Sequence, residues 1–447
     1  MTNLKERFSL FDFCKKRADK VQIYGEETLD EEGKIIPFIE QAALITHYLQ
    51  LRKSNISMPY AQQAEGILNL WYEYIKGEKQ KRPTKLGFVG ESSADIQGYL
   101  FADLFQAPFQ TPANPKFTFI DLFAGIGGFR MAFQNLGGEC VFSSELDEKA
   151  RKTYYANYGD VPFGDITLKS TKNKIPNGFD ILCAGFPCQA FSLAGKRLGF
   201  AETRGTLFFD VAEILNKYQP KAFFLENVKG LVSHDKGKTF KTILKTLDEV
   251  GYIVPPPEIV NAMYFGVPQH RERIYIVGFR KDLGINKEDF SYPIQKEVTK
   301  KWIDVREENP VPAKYYLSTT YINTLKRHKA RHEAKGNGFG YDIIPDNGIA
   351  HAIVVGGMGR ECNLVIDFRQ KDLTPTTRIK GEVNKQGWRK MTPREWARLQ
   401  GYPDKFKIVV ADASAYKQFG NSVAVPAIQA TAHQILKTLN KHGYIGK

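Results

Sequence analysis

Between residues 38 and 75 apolar side chains recur three to four positions apart. Phe38, Ala42, Ile45 and Leu49 fall on one helical face, and Ala64, Ile67, Leu68, Trp71 and Ile75 on another. Ser57-Met58-Pro59 separates the two predicted helices, a basic run from Lys76 to Lys85 follows, and Pro108, Pro112 and Pro115 mark a linker. From Phe117 the period changes. Short apolar runs predict strands at Phe117 to Leu122, Cys140 to Ser144, Asp180 to Ala184, Ala222 to Leu225 and Arg273 to Val277. Their alternation with helical patterns predicts an α/β fold with a Rossmann-like, doubly wound, mostly parallel sheet.

After about residue 282 the alternation dissolves into a stretch rich in Gly, Lys, Arg and Tyr. Helical pattern returns where Thr392 can cap a helix opened by Pro393, and a final helix starts near Val425-Pro426. The expected organisation is a helical extension and linker over 1–115, an α/β domain over 116–281, and a smaller irregular domain over 282–415. A C-terminal segment, 416–447, is expected to return to the α/β domain.

Charge adds a partner. Lys and Arg number 63 against 49 Asp and Glu, a formal charge of +14, which favours a polyanion without specifying a fold. The five cysteines include no C-x-x-C pair, so neither a disulfide framework nor a zinc site is expected. His328 and His332 share a helical face with Arg331 and read as a solvated basic helix rather than metal ligands. No signal-peptide core opens the chain and no run approaches the ~18 apolar residues of a membrane span. A cytoplasmic chain is expected.

In an open α/β sheet, ligands bind at the C-terminal ends of the strands. Three features lie there. Gly125, Gly127 and Gly128 form a turn after the first strand, and Glu145 ends the second, where a carboxylate can grip ribose hydroxyls. Arg130 occupies the place of the third glycine in G-x-G-x-x-G, which argues against a dinucleotide and suits a nucleoside without phosphate. Cys188, in Gly185-Phe-Pro-Cys-Gln189, leaves the third strand through a constrained turn, and Glu226-Asn227-Val228 follows the fourth apolar run. A thiol and a carboxyl so placed suit a nucleophile and an acid. A small buried hydrophobe, the usual state of a lone cysteine, fits Cys140 and Cys183 better than Cys188. A glycine turn used only for packing, a thiol hydrolase with His270 as base, and a catalytically silent DNA-binding protein are the competing readings.

In order along the chain, Asp121-Leu-Phe-Ala-Gly-Ile-Gly-Gly128, Gly185-Phe-Pro-Cys-Gln-Ala-Phe-Ser192, Glu226-Asn-Val228, Gln269-His-Arg-Glu-Arg273 and Gly420-Asn-Ser-Val423 resemble the C5-cytosine DNA methyltransferases. The resemblance spans roughly residues 117 to 440, and several stretches are similar to the HpaII-type methylases that modify CCGG. It implies S-adenosyl-L-methionine as cofactor, double-stranded DNA as substrate, no metal, a monomer, and a restriction endonuclease as functional counterpart. It implies that Cys188 adds to C6 of a flipped cytosine, that Glu226 holds the N3 and N4 edge in protonated form, and that Arg271 and Arg273 hold the base and the active-site charges. Phe123, Gly125, Gly127, Gly128, Glu145, Asp165, Ile166, Pro187, Asn421 and Ser422 would line the cofactor site. Leu146 stands where the family often has an aromatic residue, so weaker stacking on adenine is implied. Gln189 would contact DNA, and Ser192, Lys196, Arg197 and Arg204 would belong to a mobile loop over DNA from Ser192 to Thr206, while Arg360 and the stretch from Arg369 to Lys380 are candidate base readers. An RNA-directed relative on the same scaffold is the nearest alternative; the long basic recognition region favours DNA.

Overall fold

The computed structural model describes Leu10 and residues 25–81, 106–187, 207–356, 359–374 and 381–446, with side chains only through residue 74 in the first stretch. Cys188, Gln189, Ser192, Lys196, Arg197 and Arg204 lie outside the described residues, as do Gly357, Met358 and residues 375–380. Two compact units result, each drawn from separate stretches of chain. One comprises Met1–Pro257, Ile276–Phe290 and Ile435–Lys447; the other comprises Glu258–Tyr275 and Ser291–Gln434.

The first unit is built on β1 (Phe117–Leu122), β2 (Gly138–Ser144), β3 (Ile181–Gly185), β4 (Ala222–Val228), β5 (Tyr252–Ile253) and the second half of β8 (Glu272–Arg280). The sheet order is β2-β1-β3-β4-β8-β5. The first four strands are parallel and β5 is antiparallel to β8, giving the mixed, parallel-dominated α/β sheet that the alternation predicts. Phe119, Ile120, Leu122, Ile181, Leu182, Phe223, Phe224 and Leu225 are fully buried. Burial on both faces is why these strands read as continuous apolar runs. Strand β4 extends past its apolar run to Val228, because its pairing with β3 continues to Gly185↔Glu226. Glu226 therefore lies within the strand rather than just after it.

The N-terminal helices α1 (Phe38–Leu51) and α2 (Ala61–Lys81) belong to this unit and are not a separate extension. Ala42, Ala43, Leu44 and Ile45 are fully buried, and Gln41 accepts the Trp71 indole N–H at 2.8 Å. The helices α3 (Gly128–Asn135) and α4 (Glu148–Tyr158) follow β1 and β2. Asp147 caps α4 by accepting from Lys149 and Ala150. Further along, α5 (Leu207–Tyr218) and α6 (Lys238–Glu249) follow β3 and β4. Among the described residues no helix is long and apolar enough to cross a membrane.

In the second unit β6 (Glu258–Asn261) runs antiparallel to the first half of β8, and β7 (Gln269–His270) pairs in parallel with β9 (Ala350–His351). The antiparallel pair β10 (Leu364–Ile366) and β11 (Trp388–Lys390) packs with α7 (Thr319–Glu333) around Leu317, Ile322, Leu325, Leu364 and Trp388. At the start of α8 (Pro393–Leu399), Thr392 caps the helix as the sequence predicts, and with Glu395 it forms a capping box. Beneath it Arg389, fully buried, holds Glu395 through two 2.8 Å bonds and Asp367 through one of 3.0 Å. The helices α9 (Asp412–Asn421) and α10 (Val425–Lys441) complete the chain.

The unit boundaries differ from those expected at 281 and 415. Residues 258–275 and 416–434 join the second unit because their hydrogen bonds lead there. Gln269, buried, donates to the Leu399 carbonyl at 2.9 Å and accepts from the Ile353 N–H at 3.0 Å.

Candidate active site

Four adjacent parallel strands deliver the predicted residues to one edge of the first unit's sheet. From β2 comes Glu145, from β1 the turn Phe123 to Gly128, from β3 Pro187, and from β4 Glu226. This edge carries the strands' C-terminal ends, the ligand-binding edge of open α/β sheets.

The turn after β1 is tightly specified. Phe123 has φ +55°, unusual for a residue with a side chain, and Gly125 and Gly127 have φ +55° and +83°. A Cβ on Gly127 would stand 2.2 Å from the Tyr158 ring, whose hydroxyl donates to the Gly127 carbonyl. A Cβ on Gly125 would meet nothing within 4 Å, so the turn faces open space there. The Gly125 N–H donates to Glu145 Oε2 at 2.8 Å, and the Asp147 N–H to Oε1 at 2.7 Å. Burial pushes the Glu145 carboxyl up, while these two N–H groups oppose the shift. Leu146 beside it is 71% exposed. An open glycine turn, a carboxylate fixed beside it and an exposed apolar side chain fit a nucleoside-type ligand.

Arg130 explains the missing third glycine. Its guanidinium is fully buried, bonded to Asp160 and Tyr154, and lies 5.0 Å from the centre of the Tyr158 ring. Asp121, at the same depth in β1, has its carboxyl pushed by burial up to about 8, against the opposing charge of Arg130. An unfolded aspartate titrates near ~3.9, so between that pH and about 8 the folded chain holds a proton that the unfolded chain has lost. The stability slope is then negative, and stability from this group declines as pH rises through that window. Asp121→Asn removes the titration. Its stability is expected to fall less from pH 5 to pH 8 than that of the wild type, by on the order of a few kcal/mol, seen as a smaller drop in melting temperature. Parallel melting curves in calorimetry would refute this account.

Asp165 and Ile166 follow Gly164 at the end of the segment beside β2. Asp165 Oδ1 accepts from the Thr167 N–H and hydroxyl, and Ile166 is buried. At β3, Pro187 is exposed and its neighbour Phe186 is buried. The Asn227 side chain donates to the Phe186 carbonyl at 2.8 Å and accepts from the Val228 N–H. It thereby ties the end of β4 to the chain entering Cys188. Sequence reasoning gave Asn227 no task, although an amide directly after a carboxyl at the end of an apolar run was a usable signal. Glu226 is 8% exposed and paired in register with Gly185.

The second unit holds the remaining predicted residues that are described. Arg271 is buried, donating to the Ile353 carbonyl at 2.9 Å, the Gly420 carbonyl at 3.2 Å and the Ser422 carbonyl at 2.6 Å. These bonds bring Arg271 and Ser422 together, and the Ser422 hydroxyl meets the Tyr402 hydroxyl at 2.6 Å. Gly420 allows the approach, since a Cβ there would stand 2.8 Å from the Val355 side chain and 3.2 Å from its nitrogen. Asn421 is exposed and Arg273 half-buried. Arg360 is exposed, its guanidinium 5.4 Å from the centre of the Tyr416 ring. Arg369 is occupied internally. It takes both oxygens of Asp367 and the carbonyls of Glu307 and Glu308, which removes it from the candidate base readers.

Residues 117–437 match the family model described as C-5 cytosine-specific DNA methylase. The chain is similar to the type II methyltransferase M.HpaII of Haemophilus parainfluenzae, with 70% identity over 336 residues, 74% of this chain and 93% of that protein. It is 47% identical over 368 residues to M1.ScrFI of Lactococcus lactis subsp. cremoris, covering 82% of this chain and 89% of that one. The crystal structure of the Dnmt2 methyltransferase of S. pombe shares the fold, with a TM-score of 0.54 and 20% identity over 72% of this chain and 99% of that one.

Proposed function

Because the chain belongs to the C-5 cytosine-specific DNA methylase family, we propose that it methylates C5 of a cytosine within CCGG in duplex DNA. The observation that carries this reading is the row Glu145, glycine turn, Pro187 and Glu226 along the C-terminal edge of four neighbouring parallel strands. S-adenosyl-L-methionine, when bound, supplies a methyl group activated on its sulfonium. Glu145 would hold its ribose hydroxyls, Phe123, Asp165 and Ile166 its adenine, and Gly125, Gly127, Gly128, Pro187, Asn421 and Ser422 would line the site. Leu146 offers adenine an aliphatic face instead of an aromatic one.

The target cytosine must leave the duplex, at a cost of a few kcal/mol. Cys188 is the nucleophile for C6 and Glu226 the proton donor at N3. Arg273 holds the base, and Arg271 keeps the Gly420 to Ser422 segment in place through its carbonyl bonds. Gln189, Ser192, Lys196, Arg197 and Arg204 contact DNA, and Arg360 reads a base from the second unit. The target CCGG rests on the HpaII-type resemblance and on the high identity to M.HpaII. The enzyme acts as a cytoplasmic monomer, protecting DNA from an endonuclease of the same specificity.

Bisulfite sequencing of plasmid from cells expressing the chain tests this reading. One cytosine in each CCGG should resist conversion. Protection at another sequence would overturn the target, and labelled methyl transfer to tRNA but not to duplex DNA would overturn the substrate.

A further inference from the structure

Helix α1 lies outside residues 117–437, the span matched by the family model, yet it grips the segment that leads into Asp165. In its first turn Glu40 accepts from the Gly164 N–H through Oε2 at 3.1 Å and pairs with Arg151 through Oε1 at 2.7 Å. Arg151 sits in α4, the helix that starts three residues after Glu145. Two turns later Thr46 accepts from the Val161 N–H at 3.0 Å. The next residue, His47, lies 3.3 Å from Asp160 and stacks on Phe163 with ring centres 4.5 Å apart. Four of the five residues from Asp160 to Gly164 are thus held by this one helix. The same segment is laced to β2, with the Glu145 N–H donating to the Phe163 carbonyl and the Ser144 hydroxyl to the Gly164 carbonyl.

We propose that Glu40 is a positioning residue for the methyl donor's adenine, and that through it the N-terminal helix sets affinity for S-adenosyl-L-methionine. The proposal rests on the reading above, in which Asp165 and Ile166 meet the adenine. Phe163 is anchored and Asp165 is the contact, so Gly164 is the joint between them. Glycine has the widest conformational freedom of any residue, and at this joint the Glu40 carboxylate on the N–H and the Ser144 hydroxyl on the carbonyl restrict it together. Without it the Gly164 N–H loses its acceptor, and cofactor binding must bear the cost of ordering the loop. Such a loss weakens ground state and transition state alike, which raises KM and leaves kcat in place.

The test uses the full chain. Calorimetric titration with S-adenosyl-L-methionine is expected to show Glu40→Ala binding about tenfold more weakly than wild type. KM for the cofactor should rise in parallel, with kcat on duplex DNA within about twofold of wild type. Glu40→Gln keeps an acceptor for the Gly164 N–H and loses the Arg151 ion pair, so its dissociation constant should fall between the two. If Glu40→Ala fails to fold, Glu40→Gln decides alone, with weaker cofactor binding expected. Unchanged affinity in the variants overturns the proposal. So does a fall in kcat together with melting temperature that Glu40→Gln does not relieve, the mark of a merely structural residue. A wild-type chain that fails to bind the cofactor would overturn the functional reading instead.

Discussion

Replacing Cys188 by alanine is expected to abolish methyl transfer, a loss of about 10⁴-fold or more, while duplex DNA binding persists. C5 of cytosine is a poor nucleophile as long as the ring stays aromatic. Addition of the Cys188 thiolate to C6 breaks the aromaticity and makes C5 enamine-like. After methylation, loss of the C5 proton and departure of the thiolate restore the ring. No other thiol in the sheet can take over. Burial pushes Cys140 up to about 12 and Cys183 well above its ordinary value, so both stay protonated inside apolar strands. Duplex DNA carrying 5-fluorocytosine separates addition from turnover, because fluorine at C5 blocks the final elimination. Wild type and Cys183→Ala should form a covalent adduct with it, and Cys188→Ala none. An adduct in Cys188→Ala would refute the assignment.

The readable parts of this chain were those whose signals are local. An apolar run, a glycine turn and a carboxylate at the next strand's end sit within the 29 residues from Phe117 to Glu145, and the Gly125 to Glu145 hydrogen bond joins turn and carboxylate. Thr392 and Pro393 announced their helix for the same reason. Long-range pairing was not legible. Arg271 reads as an active-site cation, yet its acceptors stand 82, 149 and 151 positions away and turn it into a brace. Arg369 reads as a base reader until Asp367 takes its guanidinium. The N-terminal helices showed their periodicity but not their partner. One signal could have revealed it: Ala42-Ala-Leu-Ile45 is apolar without interruption, the pattern of a helix enclosed on all sides rather than a surface appendage, and residues 41–47 are buried.

Glu226→Gln should reduce kcat on duplex DNA by about 10²- to 10⁴-fold, with far less effect on DNA affinity. The in-register pair Gly185↔Glu226 sets the carboxyl on the strand next to the chain that runs to Cys188, and the Asn227 bond to Phe186 fixes the spacing between them. The Glu226 carboxyl is therefore held on the strand beside the one whose end precedes Cys188 in sequence. Addition at C6 sends electron density toward N3, where a proton must stabilise it, and a buried carboxyl can supply that proton. Glutamine occupies the same volume and can donate a hydrogen bond, but it cannot transfer the proton. Aspartate can transfer it but withdraws the group by one methylene, and a misplacement of about 1 Å costs on the order of 10²-fold. Rapid-quench measurement of adduct formation on 5-fluorocytosine DNA isolates the addition step, which should slow in both variants. A glutamine variant that forms the adduct at the wild-type rate would mean that Glu226 only holds the base, leaving Cys188 to add to C6 without an acid.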